Sequence, residues 1–321
     1  MKKTELMKFL ILLIFPLSLF GQKEMFTVFY NVENLFDTIN NPEKNDDEFL
    51  PYSEKKWDSN KYNKKLENIA MVLENINPKG LPNLIGLCEV ENKKVVEDLI
   101  YSSQLKQKKY DIVHKDSPDK RGIDCALIFD ENFELIMTDF IEVVIPESKK
   151  PTRDILYAKL KYENDFLHVF VNHWPSRWGG REKTEHRRVA AAKTLRNYID
   201  KNIKKSKNII VMGDLNDTPY DVSIEKVLLN DNYINHMTSE SLKDKGSYNY
   251  RGDWSFIDQI ITSKNFLNKK VISYECGVFM EDWIMYKNKE GDLYPSRTYG
   301  GNNWYGGYSD HLPIYYKMIL N

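Results

Sequence analysis

The sequence predicts one α/β domain, from about residue 22 to 321, with a strand-rich core covered by a few helices. Three observations predict it. Strand-like runs outnumber helical ones, and several are continuously apolar, as central strands covered on both faces are. No linker, low-complexity tract or internal repeat interrupts the chain. The 321 residues are 41% hydrophobic and include 20 Tyr, 15 Phe and 6 Trp, enough to bury a large core.

The elements follow in order. Residues 25–30 (MFTVFY) are β-branched and aromatic and read as a first core strand. Residues 40–52 form an acidic, Pro-containing loop. Leu66, Ile69, Ala70 and Leu73 recur at helical spacing within residues 60–76, and Asn77-Pro78-Lys79-Gly80 stops that helix. Residues 84–88 (LIGLC) read as a short buried strand, and residues 93–101 as a helix. Residues 110–113 and 123–129 read as strands, with Ser117-Pro118-Asp119-Lys120 turning between them. Residues 155–160 and 166–171 suit a hairpin across Glu163-Asn164-Asp165. Residues 181–203 read as a long basic amphipathic helix. Residues 208–212 (NIIVM), 257–261 and 311–316 complete the strands.

Residues 1–21 read as an export signal, leaving the domain at 22–321. Lys2, Lys3 and Lys8 precede an apolar run over residues 9–20, interrupted only by Pro16 and Ser18, and Gly21-Gln22 follows. That run, about 12 residues, is short of the ~20 a spanning helix needs. The expected destination is the periplasm or the extracellular space. The formal charge is −1, and loss of the signal makes the chain two charges more negative. This excludes a protein that binds nucleic acid through a general basic excess; charge on a polyanion would have to be met locally. Cys88, Cys125 and Cys276 lack metal-ligand spacing, and the first two sit inside apolar runs as core residues do.

Polar residues collect where the strands end. Asn31 and Glu33 follow the first strand, Glu89 follows LIGLC, and His173 follows Val171-Asn172. Asp214 and Asn216 follow NIIVM-Gly213, Asp258 lies within SFIDQIITS, and Asp310-His311 open the last strand. Each alone has a plain explanation as a turn residue, a strand cap or a solvated carboxylate. As a set they are how a sheet-based enzyme assembles one site. The chemistry they suit is phosphodiester hydrolysis. A hard cation neutralises the phosphate and takes few carboxylates, which makes Glu89 and Asp310 the candidate metal ligands, with Asn31 and Glu33 next. A carboxylate must orient and deprotonate water, and Asp214 suits this. Asn216, His173 and His311 suit donation to phosphoryl oxygens.

These motifs carry a resemblance. Asn31-Val32-Glu33, Ile85-Gly86-Leu87-Cys88-Glu89-Val90, Arg121-Gly122-Ile123, His173-Trp174-Pro175-Ser176, Gly213-Asp214-Leu215-Asn216, Ile257-Asp258-Gln259-Ile260 and Ser309-Asp310-His311 run in the order of the endonuclease/exonuclease/phosphatase superfamily. The chain resembles a deoxyribonuclease-I-like, exported bacterial member of it. The resemblance implies a four-layered α/β sandwich, with two central mixed sheets face to face and helices outside. It implies Glu89 as main metal ligand, Asp310 as the second metal-side carboxylate and Glu33 as a further one. It also implies Asp214 as base with Asn216 beside it, Asp258 fixing the tautomer of His311, and His173 on the phosphate side. Two departures stand out: Leu215 where an aromatic is common, and Glu33 in place of a shorter Asp. The implied cofactor is Mg²⁺ or Mn²⁺, and the loop at Asp46-Asp47-Glu48 offers a place for a second ion such as Ca²⁺.

The substrate is less constrained, because this fold serves many phosphoesters. Asn31, Arg121, Arg177, Trp254 and Trp304 are the expected substrate contacts, since aromatics mixed with Arg stack on bases and meet phosphates. The Gly-rich segment 299–307 suits a loop over a pocket. Three functions follow: an exported nuclease, read as an endonuclease, cutting DNA or RNA; an exported phosphatase or phosphodiesterase on a small phosphoester or phospholipid; and an inactive binding module. The last is disfavoured because every expected acid, amide and histidine is present. No stable protein partner is evident, and a monomer is expected.

Overall fold

The computed structural model describes residues 23–321 except 147, 149, 204–207, 239–241, 243, 244, 268 and 269. The segment read as an export signal lies outside these residues. The strands in order are β1 (Lys23–Leu35), β2 (Leu84–Val90), β3 (Tyr110–His114), β4 (Asp124–Asp130), β5 (Phe133–Ile141), β6 (Ile155–Tyr162), β7 (Asp165–His173), β8 (Ile209–Asp214), β9 (Tyr233–Asn235), β10 (Tyr248–Tyr250), β11 (Asp253–Ser255), β12 (Asp258–Ser263), β13 (Val271–Val278), β14 (Met285–Lys287), β15 (Leu293–Pro295), β16 (Tyr299–Gly300), β17 (Asn303–Trp304) and β18 (Ile314–Leu320). The helices are α1 (Ser59–Asn75), α2 (Lys93–Tyr101) and α3 (Arg181–Asn202), with a π-turn at Ser223–Leu228 resting on α3.

Two mixed six-stranded sheets form the centre. The first has the order β13-β18-β1-β2-β4-β3 and the second β5-β6-β7-β8-β12-β9. One parallel pair sits in each, β1 with β2 and β7 with β8. These four strands are the apolar runs seen in the sequence, and they lie between neighbours on both sides. Their inner faces meet in one core, where Met25, Phe29, Leu84 and Cys88 join Val169, Val171, Ile210 and Met212. The approach is close: a Cβ on Gly86 would lie 2.5 Å from Sδ of Met212 and 3.1 Å from the Phe29 ring.

Helices complete the four layers. Leu66, Ile69 and Leu73 of α1 and Val95, Val96 and Leu99 of α2 bury against the first sheet. The caps are local: Asp58 accepts from the backbone of Lys61, and Asn92 from that of Val95. Ala191, Ala192, Leu195 and Ile199 of α3 pack on Tyr157, Phe170 and Val211 of the second sheet. Its Arg- and Lys-rich residues mark the solvent face, with Arg188 an exception, buried against Asp217 at 2.6 Å.

Three features depart from the sequence reading. β5 and β13 went unread because both are edge strands, and Leu135, Ile136 and Met137 of β5 are all exposed, which erases the alternation. The last strand begins at Ile314, not at residue 311; His311 instead forms a bridge with Tyr248. The acidic loop is more than a solvated surface. Leu50 and Trp57 are buried, Phe36 stacks on Phe49 at 4.3 Å, and buried Asp46 accepts from the backbone of Asn41.

His236 sits between the sheets, its Nε2 2.9 Å from Thr262 Oγ1 and its ring stacked on Tyr316 at 4.2 Å. Burial pushes its pKa down to about 4. The folded form therefore refuses a proton that the unfolded chain takes up near 6.5. Stability contributed by neutral His236 is complete above 6.5 and falls as pH drops toward 4, by at most ~1.4 kcal/mol per pH unit for one proton. Urea midpoints measured from pH 7 to pH 4.5 should show this decline, and His236→Gln should make it shallower, with His168 and His173, also held low, accounting for the remainder.

Candidate active site

The polar strand ends converge on one cleft at the same edge of both sheets. Paired bulges aim the first group. β1 and β2 lose register between Asn31 and Leu35 and between Cys88 and Val90. Glu33, Asn34 and Glu89 have φ of 49°, 54° and 64°, left-handed values that non-glycine residues adopt only when held there. The backbone N–H of Asn34 donates to Glu89 Oε2 at 3.0 Å, locking one bulge to the other.

Asn31 lies at the centre. Its Nδ2 donates to Asp214 Oδ2 at 3.1 Å and lies 3.4 Å from Glu89 Oε1 and 3.5 Å from His311 Nε2. Expected as a substrate contact, it instead ties the acids together. Its carbonyl accepts from Ser309 Oγ at 2.7 Å, and Ser309 Oγ in turn accepts from the backbone N–H of His311 at 3.1 Å. Ser309 thereby fixes the triplet that carries Asp310 and His311.

Across the cleft, β7 and β8 bring His173 beside Asp214 as register partners, and β12 brings Asp258 opposite Asp214. Asp214 Oδ1 accepts from the backbone of Asn216 at 2.9 Å, and Asn216 donates to the carbonyl of Trp174 at 3.0 Å. Leu215 is fully buried in the layer under α3, so its departure from an aromatic touches packing alone. His311 Nδ1 donates to Asp258 Oδ2 at 2.7 Å, which leaves Nε2 facing Asp214 at 3.9 Å.

Environment splits the two histidines. Burial opposes charge on His311, yet Asp258, Asp214 and Asp310 together hold its pKa well above the ordinary value. Burial and the nearby Arg153 guanidinium hold His173 well below it, hence neutral. Its Nε2 lies 3.7 Å from Asp214 and 3.8 Å from Glu89. Asp214 is pushed up to about 7, by burial first and then by the charge of Asp258.

Glu89 fits a divalent cation. It is mostly buried, accepts only from amides, and has no Lys or Arg salt-bridged to it among the described residues. Burial and the carboxylate of Asp310 push its pKa up, a strain a bound cation relieves. Asp214, Asp258 and His311 also place donor atoms within 4.8 Å of one another. His311 and Asp258 are engaged with each other there, so that trio suits proton handling better than metal binding.

Five expectations are corrected or refined by the geometry. Glu33 is engaged within the protein: Arg297, which also binds Asp310, holds its Oε1, and the backbone of Thr298 holds its Oε2 at 2.6 Å. Arg177 is used within the protein, bonded to the carbonyl of Asn216 and to Asp217 and Asp221. Trp304 packs edge-on against Trp57 at 5.8 Å and Tyr299 at 5.1 Å, and Trp254 is packed in the β10–β11 hairpin. Arg121 is half-exposed, held by Asp119, and lines a cavity beside the acids. The carboxylates at Asp46-Asp47-Glu48 do not converge: Asp46 serves the backbone of Asn41, and Glu48 pairs with Lys55.

Three residues were missed. Arg153 is buried and donates to the carbonyls of His173 and Trp174 and to Asp119. Its signal was its place, just ahead of a strand, as Asp310 and His311 stand ahead of the last one. Lys65 reaches from α1 to Thr298 Oγ1 and the carbonyl of Tyr308, and its pKa is pushed down to about 8 by burial. Arg297 bridges Glu33 and Asp310. Lys65 and Arg297 had no motif around them.

The model of the endonuclease/exonuclease/phosphatase family matches residues 26–319. The chain belongs to that family. It is thus a phosphoester hydrolase. No curated protein sequence matches it significantly. Solved structures share the fold at low identity. Truncated TDP2 from Caenorhabditis elegans is 14% identical with a TM-score of 0.58, covering 92% of this chain and 97% of that one. A mannosyl-6-phosphatase of Bacteroides thetaiotaomicron is 14% identical with a TM-score of 0.57, covering 92% and 99%. The catalytic domain of human Nocturnin, with bound sulfate, is 17% identical with a TM-score of 0.55, covering 94% and 98%.

Gly213 sets how closely β8 approaches β7. A Cβ there would run into the backbone carbonyl of Asn172. Gly213→Ala should cost about 1–3 kcal/mol through this overpacking. Thermal melts read the loss directly, and activity should fall with it as Asp214 shifts.

Proposed function

We propose that the chain is an exported, divalent-metal-dependent nuclease that cleaves DNA or RNA by attack of water on the phosphate. The convergence of Glu89, Asp214 and His311 around the Asn31 amide, with Asp310 next in the chain to His311, carries the reaction class. Glu89 and Asp310 would hold Mg²⁺ or Mn²⁺, which supplies charge neutralisation at the phosphate and at the leaving oxygen. Asp214 takes the proton of the attacking water, and Asn31 and Asn216 hold its carboxylate in place. His311, kept charged and in one tautomer by Asp258, donates from Nε2 to a phosphoryl oxygen as charge grows. His173, neutral and fixed beside Asp214 and Glu89, donates without adding a second positive charge.

The nucleic-acid reading rests on the rim. Tyr248 lies against the His311 ring at 4.8 Å, Arg251 lies over Tyr250, and Trp178, on the loop after His173, is 87% exposed. Aromatic faces of this kind stack on unpaired bases. A small phosphoester is the second reading, favoured by the near-neutral charge and by the cavity beside the acids.

Plasmid, single-stranded DNA, RNA and a panel of phosphomonoesters separate the two. Cleavage of the polymers with Mg²⁺ or Mn²⁺, abolished by EDTA, is expected; hydrolysis of monoesters alone would overturn the nuclease reading. Asp214→Asn and His311→Ala should each lower the rate by at least ~10²-fold while melting temperatures stay near the parent's. Export is tested separately: intact mass of protein recovered from outside the cytoplasm should correspond to a chain starting near residue 22.

A further inference from the structure

Two polar side chains of α1 are buried, and neither serves the helix. Lys65 and Asn68 stand three residues apart and so share one side of it. Their neighbours Leu66 and Ile69 anchor α1 in the core. Burying a lysine is costly, and burial pushes the pKa of this one down to about 8. Lys65 Nζ donates to Thr298 Oγ1 and, at 2.7 Å, to the carbonyl of Tyr308. Asn68 Nδ2 donates to the carbonyls of Gly306 and Gly307, each at 2.9 Å. Three consecutive carbonyls are thus held by α1, and Asp310 follows two residues later.

The segment they grip doubles back on itself. The backbone N–H groups of Tyr308 and Ser309 donate to the carbonyl of Ser296, and those of Tyr305 and Gly306 to the carbonyl of Thr298. Gly307 allows the two limbs to meet, since a Cβ there would run into the carbonyls of Ser296 and Arg297. Arg297, on the facing limb, bonds to Asp310 at 3.1 Å. Two glycines in succession give the chain its greatest conformational freedom, and here they stand just ahead of a carboxylate that must be placed accurately. The donors that remove this freedom come from a helix fixed in the core. A general structural tie could fall anywhere along the segment; these fall on the limb that leads into Asp310.

We infer that Lys65 and Asn68 are positioning residues for the metal side of the cleft: by fixing residues 306–308 on α1 they hold Asp310 in place and so set the affinity for the divalent cation. The inference rests on the reading of Glu89 and Asp310 as the metal-binding carboxylates, and it adds the residues that hold the second of them. Position and charge act with opposite sign at Lys65. A nearby cation by itself weakens metal binding, whereas a positioning cation strengthens it.

Mn²⁺ binding to the purified protein, read by electron paramagnetic resonance without substrate, tests this. Asn68→Leu removes the donor and leaves the charge unchanged. It should weaken Mn²⁺ binding at least ~10-fold, the scale for losing an outer partner of a metal ligand. Lys65→Met should weaken it as well; tighter binding there would show a merely competing charge and overturn the inference. In an Asp310→Asn background, Asn68→Leu should have little further effect, because it acts through Asp310. The same loss with and without Asp310 would mean a general structural role and would also overturn it. Near-ultraviolet circular dichroism checks the fold, and Asn68→Ser, too short to reach both carbonyls, replaces the leucine variant if that one does not fold. Parent-like affinity in the folded Asn68 variant overturns the inference and leaves the metal reading intact. A parent protein that binds no Mn²⁺ sinks the metal reading and the inference with it.

Discussion

A single side-chain amide joins the two halves of the cleft. Asn31 belongs to the first sheet, and its amide donates to Asp214 of the second. Around that amide stand Glu89 from the first sheet, Asp214 from the second and His311 from the loop before β18. Carboxylates gathered in a buried space repel, and burial alone pushes Glu89 and Asp214 toward the neutral form. Neutral donors offset part of that cost without supplying the charge that a metal would otherwise have to displace. At Glu89 these donors are the Asn31 amide and the backbone N–H of Asn34, whereas Asp310 is met by the Arg297 guanidinium.

The arrangement also sorts proton-handling roles by environment. His311 and His173 are both buried, yet they are held in opposite states: at His311 the carboxylates, Asp258 first, outweigh burial, while at His173 burial prevails and Arg153 adds to it. Arg153 adds its charge without bonding to the His173 ring; it grips the carbonyls of His173 and Trp174 and so positions the backbone as well. Geometry and electrostatics here come from the same side chain.

Much of this was legible in the sequence because strands and their ends leave clear marks. Apolar runs of five or six residues announced the central strands, and the acids at their termini announced the cleft. Edge strands were not legible: β5 has solvent on one flank and little burial, so its residues carry no alternation. Among site residues, those on strand ends were found with their motifs. Lys65 was not, since a lysine on a helix ordinarily points to water, and only the fold reveals that this one reaches Thr298 and Tyr308. Glu33 was read as a ligand because its spacing from Asn31 matches one. Its left-handed backbone sends it instead to Arg297 and Thr298. Trp304 and Arg177 were read from composition, which does not say whether an aromatic or a cation has already been claimed by a neighbour.

β1 pairs with β18, from Lys23 against Leu320 to Phe29 against Ile314, so the start and finish of the chain close against each other. Asn31 stands near one end of the polypeptide, and Asp310 and His311 near the other. Without residues 310–321 both of these groups are missing and β1 keeps only β2 beside it. The strand pairing that closes the first sheet is thus the same event that delivers the last two groups to the cleft.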